Sequence, residues 1–144
     1  MIDSYTVKKK LKGMGPVLWI NLDTEVDRQK HMNALFDEYG IPNTRISAID
    51  ARGNNDVSDL LVGKFPELIT QGELGCTMSH LKAIKYFYEQ TNLDYIIICE
   101  DDIVFDTVPH WPFTWGGFLS YAPYDWDAIF ASNIKNLSSL RSVD

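Results

Sequence analysis

Cysteine, histidine and long hydrophobic runs are all scarce in this sequence of 144 residues. The two cysteines, Cys76 and Cys99, have neither metal-ligand spacing nor a partner histidine nearby in sequence, so we predict that both are reduced core residues. Reduced thiols are typical of a reducing compartment, and we expect a cytoplasmic protein. The apolar runs at 17–20 and 95–99 are far too short to span a bilayer, so no membrane span is predicted.

Basic residues are also in the minority, because 13 Lys and Arg stand against 20 Asp and Glu and give a formal net charge of -7. Nucleic acid is therefore not an expected partner, since binding a phosphate backbone requires clustered basic side chains. The one basic run is interpreted as part of a loose, solvated terminus at 1–15; it consists of Lys8, Lys9, Lys10 and Lys12. Residues 136–144 are expected to be loose as well.

The length and the hydrophobic content of 45% suffice for one compact domain, which we place at 1–144. Four apolar segments have the length and composition of strands: 17–22, 44–49, 95–99 and 126–130. Helices are predicted where capping pairs precede a 3.6-residue apolar period, at 24–39 and 70–88, with a helical turn near 57–62 and a short helix near 117–121. This alternation predicts an α/β fold with a mainly parallel sheet flanked by helices.

Acidic side chains follow two of the predicted strands. Asp23 comes after the first strand, and Glu100, Asp101 and Asp102 come directly after the strand at 95–99. Ligands of open α/β sheets bind beyond the carboxyl ends of parallel strands, where crowded carboxylates are costly unless a cation offsets their repulsion. In extended geometry Glu100 and Asp102 point to the same side. Hard oxygen ligands favour Mn or Mg, which commonly bridge carboxylates to substrate phosphates.

The same residues also have simpler interpretations. A triplet of acids can cap a turn or lie solvated in a loop. His80 lies within the periodic pattern of its helix and is more often a packed helix residue than a catalyst, and Glu73 has the spacing of a capping residue. His31 and His110 have no companions that would make a metal site. No residue is assigned as the catalytic base.

Several motifs occur together in a distinctive order. They are Ile20-Asn21-Leu22-Asp23 with Asp27-Arg28, Arg45 with Ala48-Ile49-Asp50, Gly72-Glu73-Leu74-Gly75-Cys76 with Ser79-His80-Leu81, and Ile97-Ile98-Cys99-Glu100-Asp101-Asp102. In order and spacing they resemble glycosyltransferase family 25, the lipooligosaccharide-type and procollagen-type galactosyltransferases. The resemblance runs from about Val17 to Phe130.

The resemblance implies a GT-A-like, Rossmann-like fold that moves a sugar from a UDP-sugar to a hydroxyl of a glycan or protein acceptor. The sugar would be a hexose such as galactose or glucose, and the reaction would depend on Mn or Mg. The implied donor-binding residues are Asn21, Leu22, Asp23, Arg28, Ser79, His80, Glu100 and Asp101. The implied metal ligands are Glu100 and Asp102.

Two other functions stay open at this point. A noncatalytic nucleotide-sugar-binding or interaction module would keep the same sheet and lack the acceptor half. A metal-dependent phosphotransfer or receiver-like domain also collects acids at strand ends, but it requires a Lys at the end of a late strand. The sequence has no evident Lys in that position.

Overall fold

A computed structural model describes residues 3–52 and 69–131 of the protein. Along this part of the chain the elements are α1 (Ser4–Leu11), β1 (Val17–Asn21), α2 (Val26–Tyr39), β2 (Asn43–Ser47), α3 (Gln71–Gln90), β3 (Ile97–Glu100), a 3-10 helix (Val108–His110) and α4 (Trp115–Ser120). The helical turn predicted near 57–62 and the loose end predicted at 136–144 lie outside the described residues.

The three described strands form one all-parallel sheet in the order β2-β1-β3. The central strand β1 is buried at all five positions, which explains its continuous apolar composition. In register, Trp19 lies opposite Arg45 of β2 and Cys99 of β3. The predicted α/β fold with a parallel sheet flanked by helices is therefore confirmed in the part that the structure describes.

The sheet separates two hydrophobic clusters, because successive side chains of β1 point to opposite faces. Val17 and Trp19 belong to the larger cluster, which includes buried residues of α1 and α2. Leu18 and Ile20 belong to the smaller cluster, where they pack with Ala83 of α3. The helices thus cover both faces, and α3 contacts β1 and β2. None of the helices described is long and apolar enough to cross a membrane.

The Lys-rich start of the chain differs from its prediction, since residues 4–11 form α1 rather than a loose terminus. The side chains of Val7 and Leu11, one helical turn apart, are buried against the larger cluster. The Lys10 ammonium donates hydrogen bonds to the backbone carbonyls of Pro109 and Trp111. Lys8, Lys9 and Lys10 therefore belong to a helix that two apolar residues attach to the core, and Lys12 follows its end.

The strand predicted at 126–130 is the second difference. These residues form no strand in the structure, and the Phe130 side chain is 91% exposed. Trp126 packs against Tyr95 with ring centroids 6.3 Å apart. Among the described residues, no strand pairs with the backbone of 126–130. An apolar run becomes a strand only where a neighbouring strand pairs with its backbone.

Two of the predicted helix ends are confirmed and one is wrong. The Thr24–Asp27 capping pair does not form, because α2 has Glu25 at its N-cap without a side-chain hydrogen bond. Gly40 ends α2 in the left-handed conformation, at φ 64°, as its position predicted. At α3 the predicted capping box is present: the Glu73 backbone N–H donates to Thr70 Oγ1 (3.2 Å), and the Thr70 N–H donates to Glu73 Oε2 (2.8 Å).

Thr70→Ala is expected to lower the free energy of unfolding by about 1 kcal/mol, because the first turn of α3 loses its side-chain acceptor. Urea unfolding followed by circular dichroism measures the change. Thr77→Ala, at an exposed interior position of the same helix, serves as the matched control and should be neutral or slightly stabilising. Equal losses in the two variants would contradict a role for the cap.

Candidate functional site

A cleft of about 370 Å³ lies beyond the carboxyl ends of the three strands. Its walls come from the ends of β1 and β3, the segment after β2, the start of α2 and the first half of α3. The described residues that line it are Ile20, Asn21, Leu22, Glu25, Arg28, Ala48, Ile49, Asp50, Ala51, Arg52, Gln71, Gly72, Gly75, Cys76, Ser79, His80, Glu100 and Asp101. Its size and position are typical of a small-molecule site of an α/β protein.

Asn21, the last residue of β1, connects the elements around this cleft. Its side chain is 1% exposed, and its amide nitrogen donates to Asp101 Oδ2 (2.6 Å) and to the Glu25 carbonyl (3.2 Å). Its amide oxygen accepts from Arg45 Nε (2.8 Å). One buried amide therefore fixes the end of β3, the start of α2 and a side chain of β2 relative to one another.

Asp101 is held in the wall of the cleft by Asn21 and by Arg28. The Arg28 guanidinium donates to Asp101 Oδ1 at 3.0 Å, and this carboxylate raises the pKa of Arg28. The Asp101 side chain is 11% exposed, whereas that of Arg28 is 56% exposed. Asp101 therefore orients the Arg28 side chain. The guanidinium uses one nitrogen in this contact and has other N–H donors available to a ligand.

Asp23 differs from the other predicted donor residues, since it does not line the cleft. Its carboxylate accepts from Arg45 Nη2 (2.5 Å) and Ser47 Oγ (2.9 Å). The Arg45 hydrogen bond holds the pKa of Asp23 below its usual value, with Ser47 contributing in the same direction. In the described structure Asp23 connects the ends of β1 and β2.

Ser79 lies at the bottom of the cleft, where α3 meets the segment after β2. Its hydroxyl donates to the Gly75 carbonyl (2.6 Å) and accepts from the Ile49 backbone N–H (2.8 Å). Beside it, Gly75 lies so close that an added Cβ would be 2.7 Å from the Ile49 carbonyl oxygen. The Gly-Cys-x-x-Ser part of the motif therefore allows α3 to approach a loop backbone closely.

Cys76 and His80 lie one helical turn apart on α3 and face Glu100 at the end of β3. Cys76 Sγ donates to Glu100 Oε1 at 3.4 Å, and His80 Nε2 lies 3.4 Å from the same oxygen. Burial, followed by the Glu100 carboxylate, raises the pKa of Cys76. His80 lies within α3, as its periodic position predicted. Its side chain also lines the cleft, which the interpretation as a packed helix residue did not include.

The two cysteines have different environments, which corrects the prediction that both are core residues. Cys99 lies within β3, and burial raises the pKa of its thiol to about 12. Cys76 is exposed at the cleft. His80 follows Cys76 at i+4, the spacing that places two side chains on one helix face, so the expectation that no histidine lies near the cysteines is also wrong.

The acidic triplet does not continue the strand. β3 ends at Glu100, and Asp101 and Asp102 form a turn, so the extended geometry that would align Glu100 with Asp102 does not apply. Asp102 is exposed and is not among the residues that line the cleft, whereas Glu100 is. The assignment of Asp102 as a metal ligand stays a prediction from the sequence.

Arg52 is a cleft residue that the sequence analysis missed. Its guanidinium donates to both carboxylate oxygens of Asp50, at 2.7 Å and 2.9 Å, and Asp50 raises the pKa of Arg52. The segment 50–52 follows the predicted second strand, so its place at the carboxyl edge was the available signal. Arg52 brings a second guanidinium to the cleft that Arg28 also lines.

An all-parallel sheet with a polar cleft at its carboxyl edge defines the class of α/β proteins that bind small ligands beyond their strand ends. Residues 14–109, which include the described cleft, match the sequence profile of glycosyltransferase family 25 (LPS biosynthesis protein). The chain belongs to glycosyltransferase family 25.

Curated relatives agree with this assignment. The chain is 30% identical over 111 residues to a protein named Glycosyltransferase 25 family member from Drosophila pseudoobscura pseudoobscura, and this alignment covers 70% of the chain. Proteins of the same name from Aedes aegypti and Drosophila melanogaster are 30% identical over 113 and 109 residues, each covering 69% of the chain. In all three cases the chain spans 18% of the relative's length. No solved structure is significantly similar to the chain.

Proposed function

We propose that this chain is the donor-binding part of a glycosyltransferase that moves a hexose, such as galactose or glucose, from a UDP-sugar to an acceptor hydroxyl. Membership of family 25 supports transfer of a sugar. The observation that carries the choice of site is the cleft, because seven of the eight predicted donor-binding residues line it and Asp23 alone does not. The acceptor, a glycan or a protein, and the cytoplasmic location stay predictions from the sequence.

Two guanidinium groups give the cleft donors for a diphosphate ligand, while the four carboxylates that also line it would need a cation beside that ligand. Arg28 and Arg52 bring two guanidinium groups to its walls, and guanidinium groups bind phosphate oxygens with two hydrogen bonds. Gln71 and Gly72, at the N-terminus of the 20-residue helix α3, also line it. Helix N-termini favour anions because their first backbone N–H groups lack intrahelical acceptors.

The proposed reaction requires the acceptor hydroxyl to attack the anomeric carbon of the sugar. A carbon–oxygen bond forms there, the bond to the diphosphate breaks, and its electron pair leaves with UDP. Arg28 and Arg52 would bind the departing diphosphate, and Asn21 would keep Asp101 and Arg28 in place. A general base takes the hydroxyl proton, and no described residue is assigned to that role.

The proposed reaction includes a divalent cation, Mn or Mg, as predicted from the sequence. When bound, it would neutralise charge on the diphosphate. Glu100 fits the role of one protein ligand, since its carboxylate lines the cleft and is 54% exposed. Mg and Mn commonly need only one or two carboxylates besides substrate phosphates. Asp101, in contrast, is already engaged by Asn21 and Arg28.

Titrating the chain with UDP by isothermal calorimetry tests the cleft as the nucleotide site. Arg28→Gln is expected to weaken UDP binding about tenfold, because a charge-assisted hydrogen bond to phosphate is lost. Lys30→Gln, which removes a positive charge from an exposed position of the same helix, is the control and should bind like the parent chain. No measurable UDP binding, or equal effects of the two substitutions, would reject the proposed site.

A noncatalytic nucleotide-sugar-binding or interaction module is the second candidate, because the cleft that supports donor binding is equally consistent with binding without transfer. Donor hydrolysis and transfer assays with UDP-hexoses separate the two candidates. Binding without turnover supports the module, whereas release of UDP at a rate above the uncatalysed one supports the enzyme.

A further inference from the structure

We propose that Cys76, His80 and Glu100 together form a three-ligand site for a transition-metal cation of the zinc type. The proposal concerns which side chains hold a metal, and it needs neither a donor nor the reaction above. Within the described residues these three side chains place one ligand atom each within 4.8 Å of one another.

Two of the three distances between ligand atoms fit tetrahedral coordination, and the third, between Cys76 and His80, is at most 4.8 Å. Zinc binds oxygen and nitrogen ligands at about 2.0–2.2 Å and sulfur at about 2.3 Å, so tetrahedral ligand atoms lie roughly 3.4–3.6 Å apart. The Cys76 Sγ to Glu100 Oε1 distance and the His80 Nε2 to Glu100 Oε1 distance are both 3.4 Å. Small rotations of the Cys76 and His80 side chains would therefore complete the set of ligands around a cation.

The ligands lie on two elements whose relative position is fixed. Cys76 and His80 are one turn apart on α3, and Glu100 ends β3. Near the site, Ser79 binds the Ile49 backbone N–H, which attaches α3 to the segment after β2. A site on a helix and a strand holds its geometry more closely than a site on loops.

The ligand types determine the kind of metal. A thiolate and an imidazole are soft or borderline ligands that suit zinc and cobalt, whereas Mg requires hard oxygen ligands. Three protein ligands leave the fourth position of a tetrahedral zinc site open to water or substrate. The His80 and Glu100 side chains are 38% and 54% exposed, so solvent and an oxygen ligand can reach that position.

This site and the predicted oxygen site share Glu100 and differ in every other ligand. In the predicted oxygen site, Asp102 and Glu100 would be two hard ligands for Mn or Mg. In the site proposed from the structure, Cys76 and His80 join Glu100 as softer ligands. The structure places both of these residues at the cleft with Glu100 and does not place Asp102 there. Metal binding by single variants therefore separates the two arrangements.

The first experiment adds Co²⁺ to the full 144-residue chain, kept reduced with a phosphine, and records the absorption spectrum. A cobalt–thiolate charge-transfer band is expected for the parent chain and for Cys99→Ala, and it should be absent in Cys76→Ala. Cys99 is the matched control, because it is the second of only two cysteines and is half-buried within β3. Absence of the band in the parent chain, or its loss in Cys99→Ala instead, would overturn the proposal.

The second experiment measures Zn²⁺ affinity by competition with a chromophoric chelator in the absence of nucleotide. His80→Gln and Glu100→Gln are each expected to weaken binding at least 100-fold, since loss of even an outer-shell partner costs about 10–100-fold. Asp102→Asn should bind zinc like the parent chain. Circular dichroism verifies that each variant is folded. A loss in Asp102→Asn equal to that in Glu100→Gln would place the metal at the oxygen pair and refute the thiol site.

These outcomes are independent of those expected for UDP. Failure of zinc binding with normal UDP binding would reject the metal site and leave the nucleotide cleft intact. Zinc binding without UDP binding would support the metal site and reject the nucleotide cleft.

Discussion

Asn21→Leu is expected to lower the free energy of unfolding by about 2–4 kcal/mol, although the substitution conserves volume and adds apolar surface. The loss arises because three groups around the buried Asn21 amide lose their partner: the Asp101 carboxylate, the Arg45 guanidinium and the Glu25 carbonyl. Leaving a buried polar group without a hydrogen bond costs about 1–3 kcal/mol, and more for a charged group. Asp101 and Arg45 keep other contacts, which limits the loss.

Urea unfolding at fixed pH measures this loss, with Asn33→Leu as the control. Asn33 is exposed on α2, so the identical substitution there should change the free energy of unfolding by less than about 0.5 kcal/mol. The Asn21 variant should also bind UDP more weakly, since Asp101 no longer fixes Arg28. Equal stability of the two variants would show that the Asn21 hydrogen bonds contribute no net stability.

Gly75→Ala and Gly72→Ala are expected to change stability in opposite directions, although the two glycines are three residues apart in one helix. A Cβ at Gly75 would lie 2.7 Å from the Ile49 carbonyl oxygen and 3.3 Å from the Ala51 nitrogen, both backbone atoms that cannot yield easily. Overpacking of this kind costs about 1–3 kcal/mol. At Gly72 the nearest atom is 4.0 Å away, so alanine gains up to about 1 kcal/mol from its helix propensity.

Thermal and urea unfolding of both variants measure the difference between them, which we expect to be about 1–4 kcal/mol. The added methyl group of Gly75→Ala should push α3 away from the segment after β2 and should therefore weaken UDP binding in that variant. A stabilised Gly75→Ala variant would contradict the close approach of α3 that forms the bottom of the cleft.

The order of elements was predictable because local patterns determine it. The apolar run at 17–22 predicted the first strand, and Gly40 predicted the end of α2. The capping box predicted the start of α3. In each of these cases the signal and the structure that it specifies lie within a few residues. The strand predicted at 126–130 failed because pairing depends on a partner strand, which no local pattern reports.

The candidate site was predictable in its location and less so in its contacts. Acids after a buried strand correctly indicated the carboxyl edge of the sheet, where Glu100 and Asp101 line the cleft. The sequence did not indicate that Asp101 accepts a hydrogen bond from Arg28, 73 residues earlier. It also did not indicate that Asp23 accepts one from Arg45. Those pairs form between elements distant in sequence, and only the packing of the sheet brings them into contact.

The sequence by itself determined the family, the α/β class and the position of a polar edge, because motif order and hydrophobic period are properties of the chain alone. The Cys76–His80 spacing was present in it too, but spacing on one helix does not reveal which carboxylate stands opposite. Tertiary structure decided that this carboxylate is Glu100, through the register of β3 and the approach of α3. A site made of residues from two elements exists only once the distance between those elements is fixed.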